Sequence, residues 1–76
     1  MSIKIYPNPT PNQLRIDKQA NETLQLSLTN LQGQLLFQQD WQQNQEVVDL
    51  SALAAGTYIL TISNGKEQVT QKIVKR

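Results

Sequence analysis

Six carboxylates (Asp17, Glu22, Asp40, Glu46, Asp49 and Glu67), a serine just upstream of a lysine (Ser63 and Lys66) and two lone rings (Tyr6 and Trp41) are the residues with chemistry to offer. A glycosidase needs two carboxyl groups facing each other across a cleft, and no two of these share a motif. A calcium site needs clustered oxygen ligands, whereas Asp40 and Asp49 are isolated. Ser63 and Lys66 flank a turn, where such a pair arises by chance. Asn21-Glu22-Thr23 fits a glycosylation acceptor, a short pattern that also recurs by chance. Tyr6 and Trp41 can stack on a sugar or a base, but lone aromatics in a small domain more often serve the core. The chain has no His and no Cys. That removes zinc sites of the usual kind, disulfides, and Ser-His or Cys-His catalysis. No Gly-rich phosphate loop is present. The residues point away from an enzyme and imply no cofactor and no metal.

The elements that position these residues belong to one domain, residues 1–76, because 8.6 kDa leaves no room for a second. The net charge of +1 lacks the cation surplus of a nucleic-acid groove or a membrane-surface patch. No apolar run approaches the roughly 18 residues of a membrane helix. The opening Met1-Ser2-Ile3-Lys4 has no apolar core of a signal peptide. Gln is concentrated between Gln34 and Gln45, but Leu35, Leu36, Phe37 and Trp41 interrupt that stretch. It reads as the solvated face of a strand rather than a low-complexity tract.

Period-two alternation runs through the chain. Ile3–Tyr6, Leu14–Ile16, Leu24–Thr29, Leu35–Asp40, Glu46–Leu50, Tyr58–Ser63 and Val69–Val74 each read as a half-buried strand. Asn30-Leu31-Gln32-Gly33 has the residues of a type I turn. Asn64-Gly65 predicts a two-residue hairpin with positive φ at both positions. Leu50–Ala55 is long enough for one helical turn capped by Ser51 and stopped by Gly56. Seven short strands with turns every eight to twelve residues predict an all-β, Ig-like antiparallel sandwich. Its expected core is Leu14, Ile16, Leu24, Leu26, Leu28, Leu35, Phe37, Leu53, Tyr58, Leu60 and Ile62.

Three stretches carry more. Pro7, Pro9 and Pro11 alternate with Asn8, Thr10 and Asn12, so this segment cannot pair as a central strand and reads as an edge-guarding loop. In Leu53-Ala54-Ala55-Gly56-Thr57-Tyr58, the tyrosine at the start of a late strand predicts a tyrosine corner, with its hydroxyl turned back onto upstream backbone. Leu53 would plug the end of the core, and Gly56 would adopt a backbone conformation costly for other residues. The ending Lys72-Ile73-Val74-Lys75-Arg76 is basic and alternating. It reads as a lysine-protected edge strand or as a tail read by a partner.

These motifs together resemble the C-terminal sorting domain of the type IX secretion system of Bacteroidetes, in its type A form. Ile5-Tyr6-Pro7-Asn8-Pro9 is similar to the family's opening YPNP motif. Leu26 to Leu35 is similar to its strand, glycine turn and following strand. Asp49-Leu50-Ser51-Ala52-Leu53-Ala54-Ala55-Gly56-Thr57-Tyr58 matches its D-L-S-x-L-x-x-G-x-Y element, and Gln71 to Arg76 its short basic terminus. Each motif alone is weak, and the Leu-Gly-Tyr element also occurs in fibronectin-like domains. The order and spacing make the set specific. Asn30 departs from the family, which often has Asp there; the turn tolerates either.

The resemblance implies a secretion signal. The domain would end a longer cargo protein and direct it from the periplasm through the outer-membrane translocon to the cell surface or beyond. A shuttle protein would take part, and a sortase-like peptidase would usually remove the domain. Recognition is expected at Pro7, Asn8 and Pro9 and at Lys72, Lys75 and Arg76. Gly33, Leu53, Gly56 and Tyr58 are expected to hold the fold. A second reading is an accessory Ig- or fibronectin-like module, a spacer or carbohydrate binder, which would need a platform of exposed rings.

Overall fold

The structure is a computed structural model that describes residues 3–6, 12–18 and 23–76. The described residues form seven strands: β1 (Ile3–Tyr6), β2 (Gln13–Lys18), β3 (Leu24–Asn30), β4 (Leu35–Trp41), β5 (Gln45–Asp49), β6 (Gly56–Ser63) and β7 (Gln68–Lys75). They build a three-stranded sheet, β1-β2-β5, and a four-stranded sheet, β4-β3-β6-β7, antiparallel throughout. The expected all-β sandwich is the architecture found. The segment from Pro7 to Pro11 and the Asn21-Glu22 part of the glycosylation pattern lie outside the described residues.

The two sheets close on one core, and the alternation dictates which side chains enter it. Leu14 and Ile16 of β2 meet Leu24, Leu26 and Leu28 of β3 and Leu60 and Ile62 of β6, all essentially inaccessible to water. Each such side chain contributes about 1.5–3 kcal/mol relative to an exposed one. Trp41, Val48, Leu50 and Ile73 join them, none of which the expected core contained. Each continues the period-two face of its own strand or of the residues just after it. Trp41 thus takes the core role weighed for it above.

Two expected core residues sit at the margin: Phe37 and Leu53 are half-buried against the cluster. Leu35 is a clear departure, 56% exposed. The cause is a register shift between Leu28 and Thr29. Leu28 pairs with Phe37, but Thr29 pairs with Leu35, leaving Leu36 as an extra residue. A one-residue bulge moves everything beyond it to the opposite face. Phe37 therefore faces inward and Leu35 outward, although simple alternation puts them together.

The turns are held by side-chain oxygens. Asn30 Oδ1 accepts from the amides of Gln32 and Gln34, each at 3.0 Å, and the Gly33 amide donates to the Asn30 carbonyl at 3.0 Å. This is the expected turn, with Gly33 at φ +88°. The β6–β7 hairpin differs from expectation. Among the described residues no non-glycine residue has positive φ, so Asn64 does not. The turn centres on Gly65-Lys66, one residue later, with Gly65 at φ +91° and the Asn64 amide donating to the Glu67 carbonyl at 3.1 Å. No helical turn forms after Leu50. Leu53 donates its amide to the Leu50 carbonyl at 3.0 Å, closing a turn, and Asp49 Oδ1 accepts the Ser51 amide at 2.9 Å.

Candidate recognition surface

The D-L-S-x-L-x-x-G-x-Y segment folds into the corner that fixes the chain's approach to β6. Tyr58 Oη donates to the Ala54 carbonyl at 2.6 Å, the expected tyrosine corner. Gly56 starts β6 at φ +157°, a region L side chains rarely adopt. Leu50 is fully buried just before the turn, and Leu53 packs against the core after it. This corner positions β6, and β6 in turn positions β7.

β7 is an edge strand, and its residues alternate between the two faces of the sheet. Lys72 is exposed on the outer face opposite Ile59. The register continues across the sheet, Ile59 to Thr29 and Thr29 to Leu35, so Lys72 and the displaced Leu35 terminate one outward row. Leu31, Leu35 and Leu36, all exposed, collect where β3 turns into β4. Lys75 departs from the picture of an exposed tail. It follows Ile73 on the inner face, pairs with Gly56 and is only 9% exposed. A long aliphatic stem can be buried while its ammonium reaches water. Of the three terminal cations, Lys72 and Arg76 are on the surface. Pro7, Asn8 and Pro9 lie outside the described residues.

A buried lysine on the other sheet escaped the sequence reading. Lys18 is 5% exposed, places its ammonium 5.1 Å from the Trp41 ring centre and donates to the Trp41 carbonyl at 3.4 Å. The Leu14, Ile16, Lys18 alternation was the available signal. Cation–π attraction strengthens where water is displaced.

The polar groups are arranged structurally. Tyr6 donates its hydroxyl to Asp17 Oδ2 at 2.7 Å, and this bond to a carboxylate raises the phenol's pKa above its usual value. The amide and hydroxyl of Ser51 hold Asp49 below the ordinary carboxylate range. Asp49 borders a shallow groove of about 490 Å³ with Phe37, Gln39, Val47 and Val48. No second carboxylate lines that groove, and a carboxyl held ionised in this way is a poor general acid. Among the described residues, no group of three or more acidic side chains is placed to hold a metal ion. The rings also fail to make a sugar platform: Trp41 and Tyr58 are buried, Phe37 is half-buried, and Tyr6 stands alone on the surface.

The described residues form a seven-stranded sandwich with a tyrosine corner and a basic edge strand. The family model of the secretion system C-terminal sorting domain matches residues 4–76, and the chain belongs to that family. It is therefore a sorting signal of the type IX secretion system, serving export across the outer membrane; the family is one of secretion signals rather than enzymes. No curated protein matches the chain.

Proposed function

We propose that the domain is the tag on an N-terminal cargo, read in the periplasm and handed by a shuttle protein to the outer-membrane translocon. A sortase-like peptidase then removes it, leaving the cargo at the cell surface or in the medium. The family match over residues 4–76 carries this reading. The recognition elements we assign are the Pro7-Asn8-Pro9 segment and the terminal strand, with Lys72 and Arg76 as contacts. Lys75 belongs to the same element but acts by seating its last register pair. A tag that serves many cargos needs a self-folding core and a small, partly polar contact surface, since its binding is transient.

The test is a periplasm-targeted reporter carrying residues 3–76 in a type IX-competent bacterium. The fusion is expected at the cell surface. The pair Lys72→Glu and Arg76→Glu changes surface charge without touching the core and is expected to trap the reporter in the periplasm. Export of that double variant at the normal level would move recognition to the Pro7-Asn8-Pro9 segment. Retention of the unaltered fusion in a competent host would overturn the sorting reading.

A further inference from the structure

Asn64 alone among the asparagines is followed by glycine, and the β6–β7 turn surrounds that dipeptide with three features that bear on one reaction. Asn64 Oδ1 accepts two backbone amides, from Lys66 at 2.8 Å and Glu67 at 2.7 Å. Two donors on one carbonyl oxygen polarise the side-chain amide carbon and stabilise the oxyanion formed when a nucleophile adds to it. The adjacent nucleophile is the Gly65 backbone nitrogen, whose N–H donates to Ser63 Oγ at 3.2 Å. That hydroxyl stands where the departing proton must go and can relay it to solvent. Gly65 is exposed and has no side chain to obstruct the approach.

We propose that Asn64-Gly65 is a self-modification site at which the folded domain deamidates through a succinimide. The Gly65 nitrogen bonds to Asn64 Cγ and loses its proton through Ser63 Oγ to water. The Asn64 side-chain nitrogen takes up a proton and leaves as ammonia, closing the five-membered ring. Water then opens either ring carbonyl, giving aspartate or isoaspartate at position 64. The net change is loss of ammonia and gain of water, with no oxidant or cofactor.

The fold contains its own comparison. Asn30 Oδ1 accepts two backbone amides in the same manner, from Gln32 and Gln34. Its neighbour is Leu31, whose branched side chain crowds the nucleophilic nitrogen. The product also has a structural consequence. Aspartate removes one unit from a net charge of +1. Isoaspartate lengthens the main chain inside the ring closed by the Asn64 amide and the Glu67 carbonyl, which loosens the hairpin that presents β7.

The experiment incubates the whole purified domain at mildly alkaline pH, folded and in denaturant. Intact mass follows the amide-to-acid change, and peptide mapping with an isoaspartate assay locates it. In the folded chain, conversion is expected at Asn64 ahead of every other asparagine, with Asn30 inert. Ser63→Ala is expected to slow the folded reaction several-fold and to leave the denatured rate unchanged, with circular dichroism confirming that the variant is folded. Two results would overturn the proposal: a folded chain that stays intact while the denatured chain converts, or a folded Ser63→Ala variant that converts at the unaltered rate.

Discussion

The hydroxyl of Tyr58 reaches back four residues to the carbonyl of Ala54 at 2.6 Å, tying the start of β6 to the turn that precedes it. The bond is short, and Tyr58 itself is only 9% exposed. Tyr58→Phe keeps the ring and deletes the donor, leaving the Ala54 carbonyl without this partner. The expected loss is about 0.5–1.5 kcal/mol, read from the denaturant midpoint at unchanged slope. An unaltered midpoint would mean that water satisfies the carbonyl equally well.

Gly56 is the second constraint in the same corner. At φ +157° any side chain is strained even though nothing lies within 4 Å of where its Cβ would stand. Gly56→Val is expected to cost about 1–3 kcal/mol through backbone strain alone. Gly33→Val, at φ +88°, is expected to act alike. Equilibrium unfolding measures both, and the absence of a crowding neighbour makes backbone conformation the cause under test.

The bulge makes a sharp contrast along the β3–β4 ladder. Leu35→Gln changes an exposed residue and is expected to alter stability by no more than about 0.5 kcal/mol. Leu28→Ala removes a fully buried side chain and is expected to cost about 2–5 kcal/mol. Comparable losses at the two positions would mean that the strand pairs in solution without the register shift.

Acid should weaken the fold in part through Asp49. Its carboxyl lies below the usual value of 3.8 because the Ser51 amide and hydroxyl stabilise the charged form. A depressed pKa contributes stability that is complete above the unfolded value and is lost as pH falls through the folded value. Asp49→Asn retains an acceptor for the Ser51 amide but does not titrate. Its midpoint is expected to fall less steeply than that of the unaltered chain below pH 3.8. Parallel curves would show that the Asp49 bond does not survive in solution.

The two ends of the terminal strand should separate energetically. Removing Arg76, which lies past β7, is expected to shift stability by at most about 0.5 kcal/mol. Removing Lys75 as well deletes the register partner of Gly56 and uncovers the end of the core, for a further cost of about 0.5–3 kcal/mol. Thermal melts of the two truncations decide this. A double deletion that melts with the single one would return Lys75 to the exposed tail.

The strands were legible because Leu24, Leu26 and Leu28, or Tyr58, Leu60 and Ile62, announce one face by strict alternation, and the corner because Gly56 and Tyr58 each permit few local roles. What escaped was non-local. Nothing in Leu35-Leu36-Phe37 states that an extra residue enters the ladder, since three apolar residues in a row fit either register. Trp41 was weighed as core or ligand platform, and only its pairing with Leu24 decides for the core. Lys75 carries the charge of a tail residue, but its place two residues after Ile73 puts it on the inner face. Asn64-Gly65 announced a turn correctly, but Asn64 Oδ1, by accepting two amides, shifts the turn centre one residue onward.

The extra residue at Leu36 also bears on how the domain behaves in a crowd of its own copies. β4 is an edge strand of its sheet, and an edge strand offers backbone groups with which another strand can pair. Growth by templating requires each arriving strand to continue the hydrogen-bond ladder of the last. A strand that changes register part-way along cannot be copied by a straight neighbour without leaving amides unmet. The same displacement that puts Leu35 on the surface thus blunts the β4 edge against strand addition, and excising Leu36 would restore an uninterrupted template there.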